Sequence, residues 1–124
     1  GAFKALIFLY SGRKNMKLVI KGKEYQLNFG VGFVRNLDKF YGLSNQAGFS
    51  LGLGLTKAIP ALRAYDPAVL AEVIQCAAEP GIELSKVDEF LDDSKTDIEK
   101  VFEDVQKELN EANAVKLAVK NLRN

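Results

Sequence analysis

The residue types that carry out most enzymatic chemistry are scarce in this chain. It contains no histidine, which removes the commonest general base and the commonest zinc ligand. The single cysteine, Cys76, therefore lacks an imidazole to activate its thiol. Its neighbours Ile74, Ala77 and Ala78 mark it as a small buried hydrophobe on a helix. A lone cysteine also closes no intramolecular disulfide, which fits a reducing compartment. Carboxylates are plentiful, among them Asp92, Asp93, Glu99, Glu103 and Asp104. A working acid/base pair needs a pocket that drives two pKa values apart. These residues instead alternate with lysines between apolar positions at helical spacing, so they read as the solvated face of amphipathic helices.

Two glycine pairs invite a phosphate-binding reading, and both fall short of it. Gly30-Val31-Gly32 follows a strand signal and opens a helix signal, but Arg35 stands where a dinucleotide fingerprint needs a third small residue. No ribose-binding carboxylate follows at the required offset either. Gly52-Leu53-Gly54-Leu55-Thr56-Lys57 has the glycines of a phosphate loop without the Gly-Lys-Ser/Thr order that brings lysine and hydroxyl to phosphate and magnesium. No catalytic residue, metal ligand or cofactor is expected, and the chain reads as non-enzymatic.

Charge excludes further classes. Seventeen basic residues stand against sixteen acidic ones, a net charge of +1, with the signs interspersed. The local excess at Arg13, Lys14, Lys17, Lys21 and Lys23 lacks helical spacing, so no nucleic-acid partner is expected. The apolar run Ala5 to Tyr10 is too short to cross a bilayer, which needs about 20 residues, and Ser11-Gly12-Arg13-Lys14-Asn15 is not a signal-peptide cleavage site. No membrane partner is expected. Residues 1–15 read as an upstream or vector-derived leader, whose Leu6 to Tyr10 could add an edge strand, and 16–124 as a single domain. With 48% hydrophobic residues in 124, one core can form without disulfides or metals.

The elements that must position any site follow from periodicity. Met16 to Phe29 alternates, with Leu18 and Ile20, then Tyr25, Leu27 and Phe29, around Lys21-Gly22-Lys23; this predicts a β-hairpin with Gly22 at positive φ. Phe33, Val34, Leu37, Phe40 and Tyr41 predict a short helix capped at Gly42. A glycine-bearing connection over 44–54 precedes Leu55, Ile59 and Leu62 at helical spacing, where Pro60 marks either a kink or a first turn. Asp66-Pro67 predicts a helix start, with Val69, Leu70, Val73, Ile74 and Ala77 on its buried face and Pro80-Gly81 as its stop. Ser85 and Asp88 resemble a capping box for a helix bearing Val87, Phe90 and Leu91.

Beyond a cap at Thr96 or Asp97 runs an apolar stripe: Ile98, Val101, Phe102, Val105, Leu109, Ala112, Val115, Val119 and Leu122. Its mean spacing is near 3.5 residues and its length about seven turns if continuous, with Asn110 and Asn113 as points where it could divide. Such a stripe packs either on the domain's own core or against another helix, and spacing alone does not separate the two. The fold class expected is α+β, an N-terminal β-hairpin packed on a mainly α-helical body.

Three stretches carry a resemblance: residues 23–38 (KEYQLNFGVGFVRNLD), 58–62 (AIPAL) with 65–71 (YDPAVLA), and 113–121 (NAVKLAVKN). In this order and spacing, from Met16 to about Leu122, the chain resembles the tail assembly chaperones of long-tailed phages that infect Gram-positive bacteria. The resemblance implies a protein of the host cytoplasm, absent from the finished virion. It also implies that the chain coats the tape measure protein, keeps its apolar helices soluble, and helps recruit tail tube protein, with self-association as a further possibility. A tail completion or head-tail connector protein retained in the particle is the alternative. On this reading the partner-binding surface is expected on Val101, Val105, Leu109, Ala112, Val115, Val119 and Leu122, joined by Phe49, Leu51 and Leu53 of the glycine-bearing loop.

Overall fold

The structure is a computed structural model, and its described residues are 16–42 and 52–122. The fold is α+β, with a three-stranded antiparallel sheet beside six helices among the described residues. Strands β1 (Met16–Ile20) and β2 (Lys23–Leu27) form the expected hairpin, with Leu18 opposite Tyr25 and Ile20 opposite Lys23. Both turn residues have positive φ, Lys21 at 52° and Gly22 at 77°. That mirror-image turn matches the right-handed twist of its strands.

Two expectations change at the end of β2. The alternation ran to Phe29, but the strand stops at Leu27. Asn28 donates its backbone N–H to Ala77 and accepts the Gly30 N–H at 3.0 Å through its side chain, turning the chain toward the first helix. Phe29 then packs edge-to-face on Phe33, ring centres 5.1 Å apart. A third strand, β3 (Ala78–Glu79), pairs with Leu27 and Gln26 just ahead of Pro80, where only a helix stop was expected.

Helices α1 (Val31–Phe40), α2 (Leu53–Arg63) and α3 (Pro67–Ala77) form the centre of the body. Pro60 lies inside α2 rather than at its start. It and Thr56, four residues earlier, are both exposed, so the carbonyl that loses its donor belongs to the solvent side. The corner between α2 and α3 is a Schellman motif, with Tyr65 N–H bonded to Leu62 O and Asp66 N–H to Ala61 O. Asp66 then caps α3 as expected, accepting from Ala68 and Val69 N–H at 3.0 and 3.2 Å, with Pro67 in the first turn.

Helix α4 (Leu84–Asp92) begins one residue before the expected cap. Its first turn closes on the Glu83 carbonyl, and Ser85 lies within the helix. The buried Ile82 and half-buried Leu84 anchor this entry, and tertiary packing outweighs the local capping preference. The C-terminal stripe divides into α5 (Ile98–Glu111), capped by Asp97 through Lys100 N–H, and α6 (Lys116–Leu122). Buried residues from β1 through α6 join one core, and no buried side-chain polar atom among the described residues lacks a hydrogen bond.

Candidate interaction surface

Most of the stripe expected to face a partner is turned inward. Val105 and Val115 are 0% exposed, and Val101, Leu109, Ala112 and Val119 are buried with them in the domain's own core. Leu122 is half-buried. Of the two readings that spacing left open, packing on the body is the one these six positions adopt in this fold. Leu53 is 45% exposed at the start of α2; Phe49 and Leu51 lie outside the described residues.

The glycine pair at the start of α2 holds an anion, but the anion is the chain's own. Asp38, on α1 and fully buried, accepts the Gly52 and Gly54 N–H groups, each at 2.7 Å, one on each carboxylate oxygen. Free N–H groups and the positive end of the helix dipole make a helix start a ready site for negative charge. Gly52 supplies positive φ (71°). At Gly54, a Cβ would come within 2.9 Å of Asp38 Oδ1 and 3.0 Å of Leu37 Cγ. The spacing read from the sequence as an incomplete phosphate loop is a docking site for a neighbouring helix.

Asp38 thus fixes the C-terminal part of α1 against the first turn of α2, and this junction carries exposed apolar side chains. Phe40, the last residue of α1, is 39% exposed, and Leu53, the first residue of α2, is 45% exposed. Tyr41 stacks edge-to-face on Phe40 and donates its hydroxyl to Glu72 at 2.7 Å, while Lys57 Nζ sits 4.1 Å from the Tyr41 ring centre. Burial, then the Glu72 hydrogen bond and charge, push the Tyr41 hydroxyl above its ordinary pKa.

A second exposed aromatic sits at the α2–α3 corner. Tyr65 adopts φ 60°, a left-handed conformation that costs a non-glycine residue about 1 kcal/mol, and its ring packs edge-to-face on Phe102 at 5.3 Å. It is still 55% exposed. Val31 and Leu117, 58% and 69% exposed, add apolar side chains on α1 and α6. Sequence reasoning missed this set because Tyr65, Val31 and Leu117 fall outside every buried stripe, whereas Phe40 was assigned to one.

Of the groups weighed for catalysis, Cys76, Asp93 and Asp104 are otherwise engaged. The Cys76 thiol is buried, and burial, with the Glu72 charge second, pushes its pKa from 9.0 up to about 11. At neutral pH it is a protonated core side chain. Asp104 pairs with Lys100 at 3.0 Å, and Asp93 accepts the Lys95 N–H at 2.9 Å. Among the described residues no cluster of acidic or sulfur side chains could hold a metal ion. No described helix is long and apolar enough to cross a membrane. Several polar groups fix elements to one another, and a few large apolar and aromatic side chains stand exposed among the charged residues of the described surface. In comparisons with known proteins, the family model described as phage tail assembly chaperone protein, TAC, matches residues 17–123. No curated protein and no solved structure matches.

Proposed function

The chain belongs to the phage tail assembly chaperone family, and from that premise we propose that it binds the tape measure protein of a long-tailed phage. In this reading it masks the apolar helices of that protein during assembly, keeps it soluble, and helps recruit tail tube protein. The phage is one that infects Gram-positive bacteria, and the complex forms in the host cytoplasm. The observation that carries the reading is the set of exposed apolar side chains on a helical body, chiefly Phe40, Leu53, Tyr65 and Leu117. Covering apolar surface yields about 25 cal/mol per Å², so a protein of this kind needs contact area and no reactive group.

The docking surface we assign is centred on Phe40 and Leu53, where Asp38 makes the junction rigid without using the apolar side chains themselves. A Phe40→Asp, Leu53→Asp double variant should fail to copurify with a tape measure fragment while melting as the wild type does. Undiminished copurification by the double variant would remove this surface from the proposal. The protein should also be absent from purified virions by mass spectrometry; its stoichiometric presence there would favour a connector or tail completion role.

A further inference from the structure

The break between α5 and α6 is an unusual way to end two helices. It lies over Ala112 to Val115, which include neither glycine nor proline. Ala112 keeps a helical φ of −69° and departs only in ψ, at 125°. The next turn at once closes on the Ala112 carbonyl, which accepts from Val115 and Lys116 N–H at 3.0 and 2.9 Å. The ψ of Ala112 thus departs from helix at the point where the chain changes direction.

Two independent features of the sequence suit a helix without that break. The apolar positions Val101, Val105, Leu109, Ala112, Val115, Val119 and Leu122 keep steps of three and four residues straight through it. The charges are also arranged for a single helix dipole. Asp97 and Glu99 stand at the start, where Lys100 is paired with Asp104, and Lys116 and Lys120 stand near the end. In the bent form both ends at the break are mismatched. Glu108 and Glu111 lie in the last turn of α5, which has no basic residue, and Lys116 opens α6, which has no acidic one in its first turn.

The bend is held from outside the helix. Val115 and Val119 are buried against the body, and the Arg63 guanidinium donates to the carbonyls of Val119 and Leu122 at 3.4 and 3.2 Å. Straightening at Ala112 would lift α6 away, uncover Ile59, Leu62 and Leu109 beside it, and leave Arg63 without those acceptors.

We propose that α5 and α6 join into one continuous helix from Ile98 to Leu122, and that the vacated groove on α2 is filled by the α6 of a second copy of this chain. That segment fits the groove by construction, with Val119 for Ile59 and Leu62 and its terminal carbonyls for Arg63, so the exchange reproduces the contacts that α6 makes with α2. The mismatched charges at the two helix ends are relieved in both chains. The inference does not depend on which tail protein the chain binds.

Position 113 separates the two forms. In the bent form Asn113 follows an extended residue and occupies the first position of the new turn, where proline is favoured. In the continuous helix it is interior, where proline disfavours the helix on the order of a hundredfold per chain. Full-length wild type, Asn113→Pro and Asn113→Ala would be refolded at high concentration and followed by size-exclusion chromatography with light scattering, with circular dichroism reporting the fold. The wild type is expected to form a slowly exchanging dimer, Asn113→Pro to stay monomeric with an undiminished melt, and Asn113→Ala to dimerise about tenfold more tightly. The proposal is overturned if Asn113→Pro dimerises as the wild type does, or if wild type and Asn113→Ala remain monomeric throughout. Loss of the fold in Asn113→Pro would overturn the bent-state geometry assigned to Asn113.

Discussion

Asp38 is the residue on which the local architecture of the α1–α2 junction turns. A buried carboxylate costs several kcal/mol unless its oxygens are occupied, and here both accept backbone N–H groups that α2 cannot satisfy internally. Asp38→Asn replaces one acceptor with a donor aimed at an N–H, and should cost about 2 kcal/mol in urea unfolding; a change within error would mean the clamp contributes nothing. At Cys76 the consequence is a pH dependence. The thiol ionises near 9 in the unfolded chain and near 11 in the fold, so its contribution to stability is complete below pH 9 and is lost as pH rises to 11. Tyr41, shifted in the same direction, adds to the loss from about pH 10 upward. The melting temperature should fall across this window, and Cys76→Val should flatten the fall; an identical profile in the variant would contradict it.

At the scale of elements, legibility tracks how local the determining interaction is. The hairpin could be read because Lys21-Gly22 dictates its own turn, and the start of α3 because Asp66-Pro67 caps it from within three residues. Strand β3 could not, because two residues that continue an apolar helix become a strand only through Leu27 and Gln26, some fifty positions earlier. Leu53 and Gly54 could not be assigned to α2 for the same reason: the partner of that first turn is Asp38 on another helix. The stripe on α5 was legible as a stripe, but its destination was not, since a core and a partner present the same apolar demand. Its burial changes what a substitution there does. Val105→Asp or Leu109→Asp places an unpaired charge in the core and should cost more than about 4 kcal/mol, seen as loss of the cooperative melt. A folded Val105→Asp protein would show that this face is not sealed.

For the molecule as a whole, a sealed core is enclosed by a largely polar surface that carries a few exposed apolar side chains. Polar side chains are spent internally: Asp38 on α2, Arg63 on α6, Asn36 on the Cys76 carbonyl. Phe40, Leu53, Tyr65 and Leu117 remain outside. Sequence reading identified the family and the fold class, but the stripe it offered as a partner surface is largely buried on α5 and α6, because amphipathic spacing reports that a face is apolar and not what it meets. The most direct measurement is the soluble fraction of a tape measure fragment coexpressed with this chain. The account expects wild type to raise it well above the fragment alone, and Phe40→Asp, Leu53→Asp to leave it at the level of the fragment alone. Equal rescue by both proteins, or none by the wild type, would contradict it.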